Sequence, residues 1–480
     1  MRISKCVYKS LICSCAIMAW LSLLCVNTVM AASEELQKAR MEYICALASA
    51  ASYDNKLNQA VREELMNQGW EFKEFHNENR RADSNFFVIT RPDDSGRMQT
   101  IIAIPGTEKA KDIEVDMRTS KVRFGGASPE EFQKVADGAS AVNESELYPM
   151  VHRGFHDYTQ TAFFTPNEDG YMGMEYLLGG IYGNETVYIT GHSLGGAAAT
   201  LLGARLLSMP ELDTADNKLK IISFGAPAVG NKQFAELFDG RLDLNRMTVA
   251  YDPVKEALQA LPFSGYVQFG KVEQWKRNTT VQRFHHEMSV YLDCALRNYY
   301  DRLALESDTD KKQLETGNAS VSVWSDMRAS SAFSSSKAPK IFVAPVTAKL
   351  HQDIQCDARY MSCVMKDMLL HQLGGTIASN DEVLDFADRL EAARDAGCSY
   401  ILMETITGTK PKDKQYTYDI MVEEMIYDTS GMLIGMQTVS TSTDSITPIE
   451  AVMYDVARGN EARRVAIASK RSSFGTPLYE

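Results

Sequence analysis

The chain reads as an α/β protein with a mainly parallel central sheet, joined to a second, smaller α/β domain. Three observations predict this. Short β-branched runs at Val187–Thr190, Leu219–Phe224 and Arg246–Tyr251 alternate with helical runs. Each of those runs stops in turn chemistry: Gly191-His-Ser193, Gly225-Ala-Pro227 and Asp252-Pro253. A stretch rich in Ser, Ala, Thr and charge then separates them from a new strand at Ile341–Val346.

Taken in order, the 480 residues begin with Arg2, Lys5 and Lys9 ahead of an apolar run from Leu11 to Val26 and the small-residue site Val29-Met-Ala-Ala32. That is the pattern of a secretory signal over residues 1–31, so the product is expected to be exported, periplasmic or secreted. The formal net charge is −13, and losing the leader makes it more negative. Such a surface argues against nucleic acid and against electrostatic docking on anionic membranes. Five cysteines follow the leader (Cys45, Cys294, Cys356, Cys363, Cys398) with no C-x-x-C among them. A zinc or thioredoxin-type site is therefore unsupported, and buried free thiols are the simplest reading.

Residues 33–304 form the first domain. Residues 33–72 read as helical, and two strands, Phe86–Thr90 and Met98–Ile104, are joined through Arg91-Pro-Asp-Asp-Ser-Gly96. The second strand ends in Ile104-Pro-Gly-Thr107, where a backbone N–H could serve an oxyanion. Residues 119–150 are a polar insertion with a helix near Pro129–Ala136, readable as a lid or as a plain surface loop. His152 and His156 are four apart, but Gly154 between them argues against a firm helix, and no H-E-x-x-H pattern supports metal. A helix through Met172–Tyr182 leads on to the strand at Val187.

That strand runs into Gly191-His-Ser193-Leu-Gly195 and then a helix of small residues and leucines. Strand, G-x-S-x-G, helix is the context of a nucleophile elbow, in which Ser193 stands clear of the sheet on a tight turn. The helix N-terminus aims backbone N–H groups at the site, which suits a developing oxyanion. Asp252 follows the next strand but one, and Phe284-His285-His286 opens a late helix. The order Ser, Asp, His is that of an α/β-hydrolase. Here a histidine would take the serine proton and Asp252 would hold the imidazole tautomer. Spacing alone does not choose between His285 and His286.

Residues from about 40 to 300 resemble the class 3 lipases. The likeness rests on Ile104-Pro-Gly-Thr107 with Asp116, Val151-His-Arg-Gly-Phe155, Gly191-His-Ser-Leu-Gly-Gly-Ala197, Phe224-Gly-Ala-Pro-Ala-Val-Gly-Asn231 and Asp252-Pro-Val254. Tyr266, Gly270 and Trp275 echo a further block, and His286 stands five residues before Tyr291-Leu292, which favours it over His285. The resemblance implies Ser193, Asp252 and His286 as the catalytic set, with Thr107 and Leu194 as oxyanion donors. It also implies cofactor-free hydrolysis of lipid carboxylic esters, of triacylglycerol lipase or phospholipase A1 type. Three departures bear on substrate preference: Pro105 where arginine is usual, Gln268 for a frequent histidine, and a longer segment at Lys255–Ala260.

Residues 305–339 read as a linker, 340–460 as a small accessory domain and 461–480 as a tail. The expected elements are helices at 357–373, at 381–396 (capped by Asn380 or Asp381) and at Pro448–Ala457, with strands at Ser399–Thr407, Gln415–Tyr427 and Met432–Ser440. The pattern faintly resembles the N-terminal domain of TolB or the curli-secretion lipoprotein. It contains no nucleophile–base set, so its open roles are binding, envelope or protein docking, and packing on the hydrolase. Two rival functions stand beside the lipase reading: a binding or scaffold protein keeping the fold without turnover, and a serine thioesterase or peptidase.

Overall fold

The computed structural model describes residues 34–54, 56–93, 96–106, 120–138, 147–177, 186–210, 219–276, 285–315, 340–373, 376–378 and 385–469. Contacts divide the chain into two units, 1–44 with 295–327 and 45–294 with 328–480. Within the first, Tyr43 stacks on Tyr299, Asn298 donates to Glu42 and Arg302 pairs with Glu35.

Helix α1 covers 34–51. It is followed by α2 (Lys56–Asn67), β1 (Glu71–Glu78), β2 (Asp83–Pro92), β3 (Met98–Ile104), β4 (Lys121–Arg123), α3 (Pro129–Asp137), β5 (Met150–His152) and α4 (Arg153–Phe164). Then come β6 (Val187–His192), α5 (Leu194–Leu207), β7 (Leu219–Phe224), β8 (Gly230–Asn231), α6 (Lys232–Phe238), β9 (Asp243–Val249), α7 (Val254–Ala260), β10 (Tyr266–Val267), β11 (Lys271–Trp275) and α8 (Met288–Glu315).

The main sheet has the order β1-β2-β3-β6-β7-β9-β11. From β3 to β11 every pairing is parallel, while β1 and β2 are antiparallel additions at one edge. This is an α/β-hydrolase arrangement, a mainly parallel sheet with its helices packed against it. Its centre is apolar because both faces are covered. Ile102, Ile189 and Ile221 lie side by side in register and are fully buried. The small residues of α5 let that helix sit close on the sheet: a Cβ at Gly203 would reach 2.9 Å from Ile221. A four-stranded sheet, β10-β8-β5-β4, stands beside it.

The described part of the 119–150 insertion is folded into this core. Ser128 caps α3 through Glu131 N–H, Pro129 opens the helix, and Phe124, Phe132 and Ala136 are buried. The guanidinium of Arg205 lies against both phenylalanine rings and donates to Gly125. Residues 139–146 are outside the described set. The helix expected through Met172–Tyr182 is described only at 174–177.

Three expectations need correction. Residues 153–164 are helical despite Gly154; His152 caps that helix by accepting from Phe155 N–H, and glycine at 154 leaves room for the capping ring. Strand β1 was hidden by its polar sequence, which follows from its position at the sheet edge. The start of the linker is helical, since α8 continues to Glu315.

Further along the chain are β12 (Ile341–Val343), β13 (Thr347–Leu350), a 3₁₀ turn (Gln352–Asp357), α9 (Ala358–Leu373), β14 (Ile377–Ala378) and α10 (Phe386–Asp395). They are followed by β15 (Tyr400–Thr409), β16 (Asp419–Asp428), β17 (Leu433–Ser442) and α11 (Pro448–Ser469). The strands form a sheet in the order β14-β12-β15-β16-β17, with β13 pairing β15. Helix α10 begins later than expected, on the cap Asp385, whose side chain accepts from Asp388 N–H. Helix α11 runs twelve residues beyond Ala457. Its continuation is anchored by Arg463, buried against Glu424 at 2.6 Å. Helices α9 and α11 pack against α2, where His371 meets buried Glu64 at 2.7 Å. Among the described residues no helix is long and apolar enough to cross a membrane, and no disulfide joins two of Cys45, Cys294, Cys356, Cys363 and Cys398.

Candidate active site

The site forms at the C-terminal ends of β6, β7 and β9, where parallel α/β sheets place their working groups. Strand β6 turns sharply into α5 at Ser193, whose φ of 58° and ψ of −124° are adopted by few residues other than glycine. The turn is possible only because its flanks are bare. A Cβ at Gly191 would lie 2.4 Å from the Gly195 backbone, and one at Gly195 would lie 2.1 Å from the Ile104 carbonyl oxygen. The Ser193 N–H donates to Phe224 on β7, which fixes the turn to the sheet.

Ser193, Asp252 and His286 come together from positions far apart in the chain. Ser193 Oγ is 2.8 Å from His286 Nε2, and His286 Nδ1 is 2.9 Å from Asp252 Oδ2 and 3.1 Å from Oδ1. All three residues are no more than 2% exposed. A carboxylate only accepts, so Nδ1 carries the ring proton and Nε2 presents a lone pair to the serine hydroxyl. Asp252 is held in turn by Val254 N–H at 2.8 Å and by the Tyr291 hydroxyl at 2.5 Å. His285, the alternative base, points elsewhere: its ring lies 5.9 Å from that of Tyr251.

Sequence reasoning missed two contributors here. Tyr291 entered only as a spacing marker, yet it donates to Asp252 and accepts from Val249 N–H. Burial and the neighbouring carboxylate push its hydroxyl well above the ordinary phenol range, so it stays a donor. Gly225, with φ of 59°, leaves the space that the triad occupies: a Cβ there would lie 2.8 Å from Asp252 Oδ2 and 3.1 Å from His286 Nδ1. A glycine before Ala-Pro with a strand behind it is the only sequence signal for this.

Leu194 opens α5, so its N–H has no carbonyl one turn back in the helix to bond and is available beside Ser193. Thr107, the other expected oxyanion donor, lies outside the described residues. Gly106, just before it, packs against the elbow: a Cβ there would be 3.3 Å from that of Ser193. Two of the noted departures have structural roles. Gln268 donates to the carbonyls of Ala226 and Lys255, bracing the turn after β7 against the start of α7. The extra length at Lys255–Ala260 is taken up as helix α7. His156 lies in α4 near Arg205, and burial and that cation push it down to about 3. Among the described residues no three His, Cys, Asp or Glu side chains are grouped to hold a metal.

Parts of this chain are similar to known proteins. The chain is 28% identical over 172 residues to phospholipase A1-II 3 of Oryza sativa subsp. japonica, covering 33% of this chain and 38% of that protein. It is 40% identical over 60 residues to triacylglycerol lipase OBL1 of Nicotiana tabacum, covering 12% and 10%. It thus spans well under half the length of these relatives. Among solved structures, lipase II from Rhizopus niveus aligns with a TM-score of 0.36 at 18% identity, covering 53% of this chain and 83% of that one. The C-terminal resemblance to TolB and curli-secretion domains finds no support in these comparisons. The segment that carries the elbow and the aspartate, residues 101–260, matches the family model of lipase (class 3).

Proposed function

We propose that the protein is a serine carboxylester hydrolase of lipase type, acting on lipid acyl esters. One observation carries this reading: the buried chain from Ser193 Oγ through His286 to Asp252, with both hydrogen bonds under 3 Å. In the first half-reaction His286 takes the Ser193 proton as Oγ bonds to the ester carbonyl carbon. The carbonyl oxygen becomes an anion received by Leu194 N–H, with Thr107 as the second donor. As the ester C–O bond breaks, His286 gives its proton to the departing alcohol, and Asp252 stabilises the imidazolium in between. Water, activated by the same imidazole, then releases the fatty acid and restores Ser193.

The relatives named as phospholipase A1 and triacylglycerol lipase support acylglycerols or phospholipids as the substrate class. The leader pattern supports export, and the packing of α9 and α11 on α2 supports a C-terminal domain that braces the hydrolase.

Ser193→Ala tests the mechanism. The folded variant should lose about 10⁶-fold in kcat on p-nitrophenyl esters and all labelling by a fluorophosphonate. Equal turnover by the variant would refute the mechanism. A wild-type protein that neither labels nor turns over would favour the scaffold alternative. A panel of acylglycerols, phospholipids, thioesters and peptides then separates the substrate classes.

A further inference from the structure

His192, the residue before the nucleophile, takes no part in the proton path above, yet both of its ring nitrogens are engaged. Nδ1 lies 2.6 Å from the Tyr53 hydroxyl and Nε2 lies 2.7 Å from the backbone carbonyl oxygen of His286. A carbonyl oxygen only accepts, so Nε2 bears the hydrogen. Burial and the neighbouring His286 push His192 well below the ordinary imidazole range, so the ring is neutral. Nδ1 is then a bare acceptor, and Tyr53 donates to it. The chain of bonds has one direction, from the Tyr53 hydroxyl through His192 to the carbonyl of His286.

The surroundings suggest why such a chain would be built. His286 lies in a turn, and helix α8 begins only at Met288, so helix bonds do not fix its backbone. The Tyr53 hydroxyl packs against Gly106: a Cβ there would be 2.3 Å from Tyr53 Oη and 2.5 Å from the His192 carbonyl oxygen. One buried pair therefore links the turn after β3 to the backbone of the base.

We infer that His192 is a positioning residue: oriented by Tyr53, it holds the His286 backbone so that Nε2 stays within bonding distance of Ser193 Oγ. The inference rests on the hydrolase reading and deepens it. The alternative is a buried histidine that is satisfied locally and serves only packing.

Isosteric substitutions separate the two. The amide nitrogen of glutamine reaches the place of Nε2, whereas asparagine reaches only that of Nδ1. With a p-nitrophenyl ester, His192→Asn should lose about 100-fold in kcat at an unchanged KM, the cost of misplacing a reacting group by about 1 Å. His192→Gln should recover most of that loss. The rate of fluorophosphonate labelling should fall in parallel with kcat. Wild-type kcat in His192→Asn would overturn the inference, and so would equal losses in the two variants. If His192→Asn does not fold, Tyr53→Phe decides: a loss of about tenfold in kcat alone is expected, and wild-type kcat overturns the inference. An inactive wild-type protein would instead strike at the hydrolase reading itself.

Discussion

Replacing Gly225 by alanine should disable the site without replacing any group of the proposed triad. The added Cβ would sit 2.8 Å from Asp252 Oδ2, 2.8 Å from Tyr291 Oη and 3.1 Å from His286 Nδ1. Ordinary carbon–oxygen contact needs at least 3.4 Å, so the carboxylate must retreat by about 0.6 Å. The His286–Asp252 bond, now 2.9 Å, would then reach about 3.5 Å and cease to fix the imidazole. A misplacement of this size costs about 10²-fold, and full loss of the aspartate's hold about 10⁴-fold. We therefore expect kcat to fall between those limits, with KM little changed. Alanine at φ of 59° also costs about 1 kcal/mol of backbone strain. Gly240→Ala is the control for that cost, because Gly240 has φ of 78° and nothing within 4 Å of its absent Cβ. The assay is ester hydrolysis and fluorophosphonate labelling, with melting curves for both variants. A folded Gly225→Ala protein with kcat within about threefold of wild type, a change too small for a broken hydrogen bond, would refute the steric reasoning.

Two further outcomes follow from the same structure. Tyr291→Phe removes the hydroxyl 2.5 Å from Asp252 and should cost about 10- to 100-fold in kcat/KM, the range for a hydrogen bond to a charged group; an unchanged value would show that Val254 N–H suffices. In the C-terminal part of the chain, burial raises Asp455 from 3.8 to about 7; its Oδ1 accepts from Thr441 at 2.6 Å and its Oδ2 is buried without a partner. An acid with a raised folded-state value is favoured while protonated, so its contribution is complete below about 4 and is lost as pH rises through about 7. Asp455→Asn should therefore be more stable than wild type at pH 8.5, by up to about 4 kcal/mol, and nearly equal at pH 4. Denaturant titration at the two pH values checks this, and a pH-independent difference would contradict it.

The parts of this molecule that could be read from sequence are those whose physics is local. Gly191 and Gly195 are required by a turn five residues long, so the elbow is visible in five letters. The parallel strands announce themselves because both of their faces are buried, which leaves continuous runs such as those around Ile189 and Ile221. Asp252 stands out as a candidate because a strand end is a recognisable place, and His286 because the family spacing separates it from His285. What stayed hidden depends on neighbours distant in sequence. Strand β1 is polar because its outer side meets solvent. Helix α4 contains Gly154, whose role becomes clear only beside the His152 ring.

The same distinction explains why the supports of the candidate site are hidden in the sequence while its proposed triad is not. Ser193, His286 and Asp252 are few, chemically distinctive and constrained in type by the reaction they would perform. Tyr53, His192, Gly225 and Tyr291 are constrained by position: the first two and the last each place an atom within 3 Å of another element, and Gly225 lacks a Cβ that would lie there. A tyrosine at the end of a small-residue helix reads as core packing, and Tyr53 is buried like one. Only its hydroxyl, 2.6 Å from the His192 ring, reveals a second task. Buried polar atoms must find partners, so a hydroxyl and an imidazole can share one burial only in a definite mutual orientation. That requirement turns packing into alignment. The carbonyl at the end of the chain belongs to the base, so the alignment is passed to the atom that must face the serine.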